Sequence, residues 1–233
     1  MPKTSNSGNE PLLFSAEQKS LSRRKFLGYS AIAASSLAFV VSSCNKDENN
    51  NSSGIDLGTG DVGILNYAYA LEQLEAAFYT KVLQTPYSGG ASAELALMAD
   101  IRDHEIAHRE FFKNALGSNK IQDLTPDFSS INFSDRNNVL AAAKAFEDLG
   151  VSAYNGAGKL ITTPAYLTIA GKIVSVEARH AAYIRDLISN GSFADSTVVD
   201  AMGLDKSRMP LEVLAIANTY LTTKVSGSNL PTS

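Results

Sequence analysis

The 233-residue chain contains no tryptophan, only three histidines and a single cysteine, Cys44. One cysteine excludes an internal disulfide, and its early position leaves no thiol for catalysis in the rest of the chain. Positive charge is also scarce: 20 Lys and Arg stand against 24 Asp and Glu, for a net charge of −4. Within residues 1–44, Lys3, Lys19, Arg23, Arg24 and Lys25 outnumber Glu10 and Glu17, so the remainder is more acidic than the whole. Such a remainder lacks the basic footprint that nucleic acid requires, which excludes a nucleic-acid partner. Long apolar runs are missing too. The best of them, residues 28–43, is diluted by Ser, Gly and Tyr and is barely long enough to span a bilayer. The length allows one domain of ordinary size behind a leader.

The leader has its own markers. Ser22-Arg23-Arg24-Lys25-Phe26-Leu27 resembles the twin-arginine export signal position for position. The weakly apolar run follows it, and Val41-Ser42-Ser43-Cys44 resembles a lipobox, in which the cysteine is lipidated and the chain is cleaved before it. Asn45-Lys46-Asp47-Glu48-Asn49 resembles the pattern that directs some Gram-negative lipoproteins to the cell surface; the start of a plain tether is the alternative. Residues 1–44 therefore read as a twin-arginine lipoprotein signal, with the membrane as partner through lipid on Cys44. Residues 45–60 read as a flexible linker by composition. The expected location is the bacterial cell envelope: outer membrane, with surface display as the further option.

From residue 61 the texture becomes helical, with four amphipathic stretches at about 61–84, 91–116, 135–160 and 164–189. Ser134 is the expected N-cap of the third. Thr163 before Pro164 marks the start of the fourth, and Asn190-Gly191 its end. The first and second stretches, and the third and fourth, are joined by short turns, so each pair forms an antiparallel hairpin. The connection 117–134 is different. A helix over 91–116 is about 39 Å long at 1.5 Å per residue, and the connection reaches more than roughly 50 Å at about 3.3 Å per residue. It is long enough to cross back along the bundle. The expected fold is an all-α four-helix bundle over 61–190. A C-terminal extension, 191–233, carries a short helix over 210–222.

Charged residues then fall where apolar ones belong. Glu105 and His108 lie within the stripe of Leu97, Met98, Ile101, Phe111, Phe112 and Leu116. Glu177 and His180 lie within that of Tyr166, Ala170, Ile173, Val174, Ala181, Ile184, Leu187 and Ile188. Glutamate and histidine three apart sit about 60° apart on one helix face, so their side chains can converge. The first helix buries Glu72 and Glu75 and the third Glu147. Glu72 is the expected ligand of the first helix, since Glu72 precedes Tyr79 by seven residues as Glu147 precedes Tyr154; Glu75 is the alternative. Each lone glutamate is followed by a Glu-x-x-His, 33 residues later in the first half and 30 in the second. Four buried carboxylates without countercharge do not survive folding, and two divalent cations match them charge for charge. Carboxylate oxygen and imidazole nitrogen without thiolate suit iron or manganese.

Glu72-x6-Tyr79, Glu105-x-x-His108, Glu147 and Glu177-x-x-His180 resemble the ferritin-like superfamily of di-iron and di-manganese carboxylate proteins. The flanking LEQLEAAFY and FEDLGVSAYNGA are closer to the branch related to plant desiccation-related and fungal stress-response proteins. The resemblance implies a ferritin-like bundle with the long connection as its crossover. It implies a site of Glu72, Glu105, His108, Glu147, Glu177 and His180 around two iron or two manganese ions, and O2, peroxide or Fe(II) as small-molecule substrate. Catalase-like and ferroxidase-like activities share those ligands, and a stress-related or surface-binding bundle with structural metal, or none, is the alternative. A lipid tether on every subunit argues against a closed storage shell, and smaller homo-oligomers remain compatible. In one respect the chain departs from some relatives, which carry aspartate before each Glu-x-x-His to orient the histidine across the site. Here those positions hold His104 and Val176. His104 is read as a rim or surface residue, Tyr79 and Tyr154 as core, ligand-bonding or electron-passing, and Arg102 and Arg179 as solvated.

Overall fold

A computed structural model describes residues 54–233; the export and lipidation motifs lie outside them. Four long helices carry the architecture: α1 (Gly60–Gln84), α2 (Ser92–Leu116), α3 (Arg136–Gly158) and α4 (Pro164–Ile188). A shorter helix, α5 (Pro210–Ala217), follows. Two-residue strands β1 (Ile55–Asp56) and β2 (Val225–Ser226) pair in parallel, Ile55 opposite Val225. The all-α bundle is as expected, with helix ends within two residues at the four long helices.

Helix α1 is apolar nearly all round, with Ile64, Leu65, Tyr67, Tyr69, Leu71, Leu74, Phe78 and Val82 all buried. A helix of that kind must be covered on every side. The other helices cover one side, and the crossover between α2 and α3 covers the other. Asn66 fixes the crossover's start: its amide donates to the Asn119 carbonyl at 3.0 Å and its oxygen accepts from the Ile121 N–H at 2.9 Å. Gln73, two turns on, accepts from the Leu124 N–H at 2.8 Å. Farther along, Phe128 and Phe133 close on Phe78, with centroids 5.9 and 5.8 Å away, and Phe146 of α3 completes the cluster at 4.9 Å. The crossover therefore runs alongside α1 for most of its length. Truncating Phe78 to alanine would cost about 3–5 kcal/mol.

Each end of the bundle is tied between helices of different hairpins. Asp61 in the first turn of α1 accepts from the N–H groups of Thr162 at 2.8 Å and Thr163 at 2.9 Å. It thereby places a carboxylate at the α4 N-terminus, where Thr163 makes no side-chain cap of its own. At the other end Glu94 of α2 accepts from Arg136 of α3 at 2.6 Å and from the Tyr87 hydroxyl at 2.6 Å. Near the end of α4, Arg185 is 2% exposed. It donates to Asp148 on α3 at 2.6 Å and to Asp195 at 2.8 Å, which pins the segment after α4 to the bundle.

Four expectations need correction. The N-cap of α3 is Asp135, whose side chain accepts from the Asn137 N–H at 2.9 Å, rather than Ser134. Residues 54–57, expected within the flexible linker, are held: Ile55 donates to the Lys224 carbonyl at 2.8 Å and Leu57 is fully buried. Leu97 and Ile188, expected on core stripes, are 40% and 46% exposed. Helix α5 is shorter than 210–222, continuing only as a 3-10 turn (Asn218–Tyr220), and it packs Val213, Leu214 and Ala217 into the core. A close backbone approach brings it in. A Cβ on Gly156 would lie 1.7 Å from the Arg208 carbonyl oxygen, so only glycine lets that segment settle on α3. Among the described residues no helix is long and apolar enough to cross a membrane.

Candidate metal centre

Midway along the bundle the four long helices turn Glu72, Glu105, Glu147 and Glu177 inward, each with no exposed surface. His108 and His180 join them, their side chains 13% and 5% exposed. The donor atoms fall into two groups. Glu72, Glu105, His108 and Glu177 form one, Glu105, Glu147, Glu177 and His180 the other, and within each group the donors lie within 4.8 Å of one another. Glu105 and Glu177 belong to both, and each offers one oxygen to each side. Glu177 Oε1 is 2.8 Å from His108 Nδ1 while its Oε2 is 3.5 Å from His180 Nδ1. Glu105 Oε1 is 2.8 Å from His180 Nδ1 while its Oε2 is 3.6 Å from His108 Nδ1.

The lone glutamates are fixed crosswise. Tyr79 of α1 donates its hydroxyl to Glu147 Oε1 on α3 at 2.5 Å, and Tyr154 of α3 donates to Glu72 Oε1 on α1. Burial, with the glutamate beside each, holds both phenols well above the ordinary tyrosine range, so both stay donors. The seven-residue Glu-to-Tyr spacing in each half thus positions a tyrosine for the glutamate of the other half.

Comparison with known families agrees with this architecture. The family model described as the ferritin-like domain matches residues 60–190, more than half of the chain. The chain belongs to the ferritin-like family. A search of curated proteins finds no match.

Several donors of this ferritin-like centre are buried polar atoms left without partners: Glu72 Oε2, both oxygens of Glu105 and Glu177, Glu147 Oε2, and Nδ1 of both histidines. The contacts among them are short, yet their angles are not those of hydrogen bonds. Their lone pairs converge on shared points instead of on each other, and a buried unpaired acceptor costs about 1–3 kcal/mol. Donors less than 4.8 Å apart suit a cation with bonds of about 2.0–2.2 Å. The buried acidic and histidine cluster is compatible with a metal site.

Protonation without metal shows the same strain. Burial drives Glu105 well above the usual carboxylate range, with Glu177 adding to it, and lifts Glu147 to about 7. Burial also opposes ionisation of Glu177, but His108 and His180 overcome it and hold Glu177 at about 2. Burial disfavours the charged imidazoles, yet the surrounding carboxylates outweigh it: His180 rises to about 12, and His108 rises as well.

Glu75, the alternative ligand of the first helix, is in neither donor group. It is 4% exposed and sits with Oε1 3.0 Å from where a Cβ on Gly150 would lie, so the glycine makes its room. Burial, then the charges of Glu177, Glu105, Glu147 and Glu72, push its pKa well above the usual carboxylate range. His104 is exposed, as expected of a rim residue, and also meets the centre: its Nδ1 is 2.9 Å from His180 Nε2, and the two rings are within 7° of parallel. The signal for it was the position, one residue before Glu105, from which an aspartate orients the opposite histidine in some relatives. Arg102 pairs with its neighbour Asp103 at 2.7 Å, and Arg179 is exposed, as expected.

Proposed function

We propose that Glu72, Glu105, His108, Glu147, Glu177 and His180 hold two iron or two manganese ions, and that the centre carries out redox chemistry with O2 or peroxide. The observation that carries this reading is the sharing of Glu105 and Glu177 between two donor groups, each completed by one histidine and one lone glutamate. Four carboxylates match two divalent cations in charge, and Glu75 belongs to neither donor group. When bound, the metal pair supplies reversible electron transfer and activation of bound water. Glu105 and Glu177 keep the two positions close. Tyr79 and Tyr154 occupy the Oε1 atoms of Glu147 and Glu72, which leaves each Oε2 free towards the metal. The apolar bundle around the centre excludes bulk water and strengthens every electrostatic contact inside it.

Turnover tests the reading. The full chain, loaded with Fe(II) or Mn(II), should consume O2 or disproportionate peroxide well above the level of Glu105→Ala. A chain that binds two metals and turns over neither substrate would instead be a stress-related or surface-binding bundle with structural metal.

The leader supports a second proposal: export by the twin-arginine route and a lipid anchor on Cys44 in the cell envelope. Arg23→Lys with Arg24→Lys should leave unprocessed precursor in the cytoplasm. Cys44→Ser protein that still matures to the same size and stays on the membrane would overturn the anchor.

A further inference from the structure

The two histidines of the centre are not supported alike. His180 turns Nδ1 to Glu105, Glu147 and Glu177, and presents Nε2 to His104 Nδ1 at 2.9 Å. His108 also turns Nδ1 to three carboxylates, Glu72, Glu105 and Glu177, but the described residues give its Nε2 no hydrogen-bond partner. Val176, which precedes Glu177 as His104 precedes Glu105, has an aliphatic side chain that can supply none. The side chain of His108 is also the more exposed, 13% against 5%.

An imidazole that binds a cation through Nδ1 carries its proton on Nε2. At His180 that N–H has an acceptor in place, the Nδ1 lone pair of His104, which fixes both tautomer and ring plane. At His108 the same N–H is left to solvent. An outer hydrogen bond to a ligating histidine is worth about 10–100-fold in metal affinity.

We propose that His104 is a positioning residue for His180, and that it makes the two metal positions of the dinuclear centre inequivalent. The position completed by His180 and Glu147 is the tight one and fills first. The position completed by His108 and Glu72 is the weaker, exchangeable one. This rests on the dinuclear reading.

Calorimetric titration of metal-stripped full chain with Mn(II) tests it. The native chain should show two steps separated by about 10–100-fold. His104→Phe keeps a ring at an exposed position but offers no acceptor; it should weaken the tighter step by that factor and leave the weaker one in place. His104→Gln, whose side-chain oxygen can accept, should restore the separation. A second readout needs no activity: in the zinc-loaded chain the His180 Nε2–H should give a slowly exchanging imidazole resonance that His104→Phe abolishes. If the native chain takes two metals but His104→Phe leaves both steps unchanged, or shifts both equally, the positioning role is wrong while the dinuclear centre stands. If the native chain takes no metal, both fall.

Discussion

The first half of the bundle, α1 with α2, and the second, α3 with α4, present the same four functional groups in the same order. Glu72, Tyr79, Glu105 and His108 answer to Glu147, Tyr154, Glu177 and His180. The tyrosine of each half serves the lone glutamate of the other, and the second glutamate of each half, Glu105 or Glu177, lies against both histidines. Two places break the correspondence. Glu75 answers to Gly150 at the same 75-residue shift that relates Glu72 to Glu147, and the two face each other. Where equivalent positions meet, only one long side chain fits, so one half keeps the carboxylate and the other gives way. His104 answers to Val176, and only one histidine receives an outer partner. The halves therefore agree where donors converge and diverge just outside.

The largest effects should come from the shared groups. Glu105→Ala or Glu177→Ala is expected to weaken both metals by at least about 100-fold, leaving protein with almost none by elemental analysis. Loss of one metal only would mean that the carboxylate is not shared. His108→Ala and His180→Ala should each remove mainly one metal, and not the same one.

Metal removal should reverse the pH dependence of stability. In the metal-free fold Glu147, raised from 4.5 to about 7, keeps a proton that the unfolded chain has lost, so stability falls as pH rises through that window. The contribution of His180 is fully present below its ordinary 6.5 and is lost as pH climbs towards about 12. That of Glu177 is present above 4.5 and lost as pH falls towards about 2. The stripped chain should thus melt highest near pH 5 and several degrees lower at pH 8. With saturating Mn(II) the order should invert, because metal displaces those protons and binds better as pH rises. Thermal melts at the two pH values, with and without metal, are the check.

The crossed tyrosines should give smaller and matched losses. Tyr154→Phe is expected to weaken the metal held with Glu72, and Tyr79→Phe the metal held with Glu147, each by about tenfold, as for other partners that orient a ligand. If either substitution acts on the metal of its own half, the crossed arrangement is wrong. The smallest change should follow from exchanging the odd pair. Glu75→Gly combined with Gly150→Glu moves the fifth carboxylate to the other half, and metal titration should stay within about threefold of native, well under the effect of losing an orienting partner.

Reading the sequence in halves recovers the four helices and brings forward the six donors that the structure gathers, because each donor interrupts an apolar stripe at a fixed helical spacing. What lies one contact farther out depends on neighbours distant in sequence. His104 is exposed on its own helix, and only the position of α4 turns it into a partner for His180. Glu75 reads as the alternative ligand of the first helix until Gly150, on another helix, leaves it a place outside both donor groups. Residues 54–57 fall within the stretch of linker composition, and only Val225 and Ser226, far along the chain, make a strand of Ile55 and Asp56. The cap of α3 falls on Asp135 because the chain at Ser134 is taken up in the turn that ends the crossover, where its N–H donates to Asn132 Oδ1 at 3.1 Å.

The central claim is a pair of metals held by shared carboxylates, and stoichiometry tests it most directly. Metal-stripped full chain titrated with Mn(II) should bind two ions per chain, and Glu105→Ala none in the same concentration range. A native chain that binds a single ion, or a Glu105→Ala chain that still binds two at native affinity, would contradict it.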